Sequence, residues 1–212
     1  MQAIDYFFVD MNTAEQIRRR IAEIPLGEPF TPAMFLEFGT RAAIDQALSR
    51  LVKAGTISRL TRGVFLRPKE NRFVGHVLPE PGKVAETIAK AKGGQIQVHG
   101  AEAARQFGFS NQMPTQAVFM TSGPTRKFRI GKLPVTLKHA SPRKLALAHR
   151  RAGVALSALW YLGKAQVTPE VIEAIRSQLP EEEFEALKAA RASMPAWMAN
   201  AFYLYEQQAA HA

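Results

Sequence analysis

Apolar residues recur along this chain in short periodic blocks separated by Gly and Pro, and the clearest block lies between Thr40 and Gly55. There Ile44, Ala47, Leu48, Leu51 and Val52 follow helical spacing and share one face. Thr40 suits an N-cap and Gly55 a left-handed stop, so the spacing predicts a helix with both ends marked. At about 100° per residue the opposite face carries Ala42, Gln46, Ser49, Arg50 and Lys53, with Arg41 in the first turn. That face is short-chained, polar and basic. Thr56–Leu60 and Val64–Arg67 then read as two short strands around Thr61-Arg62-Gly63, a loop length and glycine position that suit a hairpin. Arg59 and Arg62 stand near its tip with no acid beside them.

Upstream, Thr13-Ala-Glu-Gln16 has the capping-box pattern and opens a helix to about Ile24, with Ile17, Ile21 and Ile24 on one side. Thr31-Pro32 starts a short second helix over Ala33–Phe38, with Phe35, Leu36 and Phe38 as anchors. Three helices and a basic hairpin in this order predict a winged helix-turn-helix over residues 1–70. Thr40, Arg41, Ala42, Gln46, Ser49, Arg50, Lys53, Arg59, Thr61 and Arg62 are its candidate contacts to double-stranded DNA. The plainer alternative is an amphipathic helix and hairpin with a solvated basic face.

Residues 71–81 read as a junction, closed by Pro79 and Pro81. Phe73, Val74, Val77 and Leu78 are too apolar for free coil, so the segment should lie along one of the domains. Beyond it, residues 82–212 predict a mixed α/β domain. Its helices run over Val84–Lys92 and Ala101–Phe107, and its strand-like runs over Gln95–His99, Thr115–Thr121, Thr125–Ile130 and Leu133–His139. Ser141-Pro142 caps a further helix, Val154–Leu162 is apolar enough to be buried, and Thr168-Pro169 and Pro180 open two more. Glu181, Glu182 and Glu183 occupy a first turn, where the macrodipole favours acids, and Trp197 to Tyr205 predict a last helix. The expected class is α+β, a winged helix-turn-helix followed by a small sheet and a helical C-terminus.

The net charge of +10 is informative through its distribution. Residues 38–76 carry eight Lys/Arg against Asp45 and Glu70, and residues 82–150 carry twelve against Glu86 and Glu102. Residues 165–212 reverse this, with seven glutamates against three bases. The division predicts a polyanion along the first two-thirds and another use for the acidic end. The absence of cysteine excludes disulfides, zinc ribbons and thiol catalysis. No apolar run approaches the ~20 residues of a membrane span, and Met1–Asp10 lacks the basic start of a signal peptide. A cytoplasmic protein without membrane partners is expected.

Catalytic patterns are missing from the sequence. His76, His99, His139, His149 and His211 show no metal-ligand spacing, and there is no Walker motif, G-x-G-x-x-G or G-x-S-x-G. Two-metal chemistry needs clustered carboxylates, and the basic middle segment has only Glu86 and Glu102. The reading is a non-enzyme with no cofactor, no metal and no catalytic residue.

Arg62-Gly63-Val64-Phe65-Leu66-Arg67-Pro68, followed by the run from His99 through Gly108-Phe109-Ser110-Asn111-Gln112-Met113-Pro114, resembles the AbiEi-type antitoxins of type IV toxin–antitoxin systems, more closely the DUF6088-like branch. The likeness covers about residues 10–205. It implies a winged helix that represses its own operon at promoter repeats. It also implies a second domain that counters a nucleotidyltransferase-type toxin, without a stable complex. Arg126, Lys127, Arg129 and Lys132 are the candidate antitoxin surface, although strand alternation separates Arg126 and Phe128 from Lys127 and Arg129. Two rivals stay open: a plain regulator with a ligand-sensing or dimerisation domain, and an RNA-binding module. Either a monomer or a weak homodimer fits.

Overall fold

The computed structural model describes residues 12–73, 75–113 and 115–211; the expectations for Met1–Asp10, Val74 and Pro114 lie outside them. Backbone packing divides the chain into two units. One holds residues up to Ala91 together with Arg129–Lys132, the other Lys92–Phe128 and the chain from Leu133 onward.

The first unit opens with α1 (Thr13–Glu23), whose N-cap is Asn12: its side chain accepts from the Glu15 N–H at 3.1 Å. Thr13, expected in that role, instead donates its hydroxyl to the Phe38 carbonyl at 2.8 Å and ties the two helical segments together. β1 (Pro29–Phe30) follows, and then Pro32–Phe38, which winds as a 3-10 turn and not as an α-helix. Phe35 is buried there and Phe38 packs beside it, but Leu36 is 54 % exposed and anchors nothing. α2 (Arg41–Lys53) is capped by Thr40, which accepts from the Ala43 N–H at 3.3 Å, and stops at Gly55 with φ +73°. β2 (Ser58–Thr61) and β3 (Val64–Leu66) form the hairpin, with a register shift between Arg59 and Thr61.

β1 pairs antiparallel with the other edge of β3, Phe30 opposite Phe65, so the sheet order is β1-β3-β2. A two-residue strand beginning with Pro has no readable pattern, and the sequence did not predict it. Its product is a small aromatic core: Phe30 meets Phe35 edge-on at 5.7 Å and stacks on Phe65 at 6.1 Å. Ile17, Ile21, Ile44, Leu48 and Ile57 close around them. The segment expected as a junction instead forms a second hairpin, β4 (Glu70–Asn71) and β5 (Gly75–His76). After it, α3 (Pro81–Lys90) packs with the first unit: it contacts β1, buries Val84, Ala85, Ile88 and Ala89, and Lys83 donates to Glu28 at 2.8 Å. By backbone packing the first unit thus extends through α3. Periodicity shows that α3 has a buried face but not which partner covers it.

A four-stranded sheet, β6 (Ile96–Val98), β7 (Ala117–Thr121), β8 (Arg126–Ile130) and β9 (Leu133–His139) in the order β6-β7-β9-β8, belongs to the second unit except at the end of β8, where Arg129 and Ile130 group with the first. β6 and β7 are antiparallel, and β7 and β9 are parallel with Ala117 opposite Val135. α4 (Gly100–Gln106) and α5 (Arg151–Leu162) are closely packed, and α6 (Pro169–Arg176), α7 (Glu181–Ala189) and α8 (Ala196–Ala210) complete the core. Ser141-Pro142 opens only a 3-10 turn, Pro142–Lys144, in place of the expected helix. At Gly153 a Cβ would lie 2.1 Å from the Leu147 carbonyl oxygen, so α5 passes there as glycine or not at all. The chain is therefore α+β. Among the described residues no helix is long and apolar enough to cross a membrane.

Glu183 does more than sit in the first turn of α7. It accepts the Ala152 N–H at 2.8 Å and the Arg150 Nε at 3.1 Å, serving as an N-cap supplied to α5 from another helix. These bonds hold its carboxyl below the ordinary 4.5. His99 caps α4 through Nδ1, which accepts from the Ala101 N–H at 3.3 Å and must therefore be neutral. Burial, then Lys138 and Lys144, push its pKa below 6.5. Both groups bind protons more weakly folded than unfolded. Each contributes stability above its unfolded pKa and loses it as pH falls through the lower folded value. Thermal melts should show a first loss below pH 6.5 and a second below 4.5. Glu183→Gln should cost about 1 kcal/mol at neutral pH and shrink only the second step, to which Glu102 and Glu170 also contribute; an unchanged acid limb would contradict this assignment.

Candidate nucleic-acid interface

The burial of Ile44, Ala47, Leu48 and Leu51 decides what α2 shows to solvent. Ala42, Gln46, Ser49, Arg50 and Lys53 are all exposed on the outer side, and Thr40 and Arg41 are exposed at its start. Two of these side chains are already engaged. The Thr40 hydroxyl caps the helix, and Arg41 Nε reaches both carboxylate oxygens of Asp45 at 3.0 Å. Asp45 was not among the expected site residues, yet its spacing from Arg41, four positions on, was readable in the sequence. Gln46 and Ser49 supply hydrogen-bonding groups from the middle of the same face.

The hairpin beside α2 is also basic. Arg62 is exposed at the turn before Gly63, and Thr61 is half-buried. Arg59 is exposed with its guanidinium 5.7 Å from the Phe65 ring centroid, so part of its freedom is spent on the sheet. Between α1 and α2, Arg18, Arg50 and Arg67 line a cleft of about 380 Å³ whose lining includes Ile21, Ala47 and Leu51. Arg67 is fixed within it, donating Nη1 to the carbonyls of Ala22 (2.8 Å) and Ile24 (2.7 Å). It satisfies the last carbonyls of α1 and holds the end of the sheet against that helix. No local pattern identifies such a residue, because its partners lie 43 and 45 positions away.

The four residues expected as a second surface are distributed unevenly. On β8, Phe128 and Ile130 are buried while Lys127 and Arg129 are exposed, as alternation requires. Arg126 is half-buried, its guanidinium 5.7 Å from the Phe128 ring centroid. Arg129 donates to the Lys132 carbonyl at 2.6 Å and Lys132 is exposed at the following turn. The four therefore do not form one continuous face. Among the described residues no group of three His, Asp or Glu side chains is placed to hold a metal ion.

Residues 16–187 match DUF6088, a family of unknown function, and the chain belongs to that family. No curated protein matches the chain.

Asp45 neutralises the one arginine in the first turn of the exposed helix face. Asp45→Asn should free the Arg41 guanidinium for any polyanion that meets this face, and steepen the log–log salt dependence of such binding by roughly 0.9. Stability should move by no more than about 0.5 kcal/mol, the worth of an exposed helix pair. Titrations of labelled duplex at several salt concentrations would read the slope; an unaltered slope would show that Arg41 meets no phosphate.

Proposed function

We propose that the protein is a DNA-binding transcriptional repressor whose first unit acts as a winged helix-turn-helix. The observation that carries this reading is the outer face of α2, where Gln46, Ser49, Arg50 and Lys53 are exposed side by side. A recognition helix needs short polar and basic groups that reach base edges, on a helix whose rotation is locked by its core face. The β2–β3 hairpin, with Arg62 at its turn, supplies the companion phosphate contact, and β1 closing onto β3 gives it a rigid base. Together these agree with the clustering of positive charge in residues 38–76.

We further read the chain as the antitoxin of a type IV system, countering a nucleotidyltransferase-type toxin through its second unit. The separate core around α5 supports an activity independent of the first unit. The exposed Lys127 offers the second unit a basic group for an acidic patch on the toxin, or for competition with its nucleic-acid substrate.

Two measurements test these readings. Arg62→Ala and Arg59→Ala should weaken binding to all duplexes alike and lower the salt slope by roughly 0.9 per contact. Gln46→Ala or Arg50→Ala should cost roughly 1–3 kcal/mol on the cognate site and relax its sequence preference. Unchanged promoter binding in all four variants would leave the first unit as a packing module only. For the antitoxin reading, full-length Arg62→Ala should still rescue growth when the neighbouring toxin gene is expressed from an unrelated promoter. Charge reversal of Lys127 should abolish rescue while leaving promoter binding within a few-fold. Joint loss of repression and rescue in Arg62→Ala would instead make protection a consequence of transcriptional control.

A further inference from the structure

We infer that Arg72 and Phe73, at the tip of the β4–β5 hairpin, form a wedge for duplex DNA, Phe73 entering a base step from the minor groove with Arg72 beside it. The inference rests on the DNA-binding reading of the first unit.

The hairpin itself is the first observation. Glu70 pairs with His76 and Asn71 with Gly75, and all four residues are exposed. A two-stranded hairpin is marginal alone, and this one buries none of its strand residues. It is nevertheless closely braced. The Val77 N–H donates to the Lys69 carbonyl at 2.8 Å, and the Phe73 N–H donates to Asn71 Oδ1 at 2.8 Å, shaping the turn. What the brace presents is Phe73, 79 % exposed, with the Arg72 guanidinium 4.6 Å from its ring centroid.

A lone exposed apolar residue needs no explanation. An aromatic ring with a cation over its face at the end of a hairpin is a different object: a flat apolar blade carrying positive charge. Apolar wedges of this kind part base steps from the minor groove, where the negative potential favours arginine. At its foot the hairpin also adjoins β2. Lys69 and His76 at the foot of this hairpin share a cavity with Arg59 and Leu60 of β2, so the two hairpins of the first unit stand side by side.

The test uses the full chain and a labelled duplex from directly upstream of its own gene, with affinity read by anisotropy and bending by energy transfer between the duplex ends. Phe73→Ala should lose about tenfold in affinity and the bend with it. Its melting should be unchanged, because the ring stands in solvent. Phe73→Leu, which keeps an apolar wedge, should retain the bend. Full bending and affinity in Phe73→Ala, alongside lost binding in Arg50→Ala, would overturn the wedge and leave the DNA reading standing. Absence of duplex binding by the wild-type chain would overturn both. The same titration is run on one labelled strand alone, and a Phe73→Ala loss confined to that strand would overturn the wedge in favour of stacking on unpaired bases.

Discussion

Ile44 and Leu48 have no exposed surface, and with Ala47 and Leu51 they hold α2 against α1 and the Pro32–Phe38 turn. Burying each large aliphatic side chain contributes about 1.5–3 kcal/mol, so rotating the helix enough to change its outer face would forfeit most of this unit's core. The display of Gln46, Ser49, Arg50 and Lys53 is therefore a consequence of packing on the opposite side. Thr13, bonded to the Phe38 carbonyl, and Arg67, bonded to the end of α1, extend the same constraint to the neighbouring segments. A rigid frame of this kind is what a recognition surface requires, because its side chains are positioned before a ligand arrives.

The charge count overstates how much positive charge the first unit has available. Arg18 pairs with Glu15, Arg20 with Glu23, Arg41 with Asp45 and Lys83 with Glu28, all at 2.8–3.0 Å and all substantially exposed. Exposed pairs of this kind are worth about 0–1 kcal/mol, so a phosphate can compete for the same arginines. In the free protein these four cations are thus neutralised by weak, solvent-exposed pairs. Arg67 differs, since it serves two carbonyls at the end of α1, those of Ala22 and Ile24, and its departure would leave both without that donor.

The acidic C-terminal third has internal uses that composition alone does not reveal. Glu183 caps α5, Glu206 pairs with Arg191, and Glu173 accepts from the Tyr205 hydroxyl at 2.7 Å. Burial, with Glu173 beside it, pushes the Tyr205 phenol up to about 12, so this bond stays intact through the neutral range. α5 gains most from the arrangement. It is an almost wholly apolar helix with no side-chain cap of its own, and the N–H of Ala152 in its first turn is met by a carboxylate from α7.

Local physics was legible in the sequence. Thr40 and Gly55 bound α2, its buried stripe and exposed face follow from the 3.6-residue period, and the alternation on β8 is visible from Lys127 to Ile130. The extent of β9 is as expected, and the helix starts at Pro169 and after Pro180 obey the geometry of proline at a first turn. Only the tertiary structure decided the rest. It assigned α3 to the first unit, made β1 a sheet strand, turned the expected junction into a hairpin and sent Glu183 to another helix. The physical reason is common to all four. A periodic pattern or a capping residue records that a face must be buried or a group satisfied, and many distant partners meet that need equally well. Which one does is set by chain topology, through contacts such as Phe30 on Phe65 and Glu183 on Ala152 that no local spacing encodes.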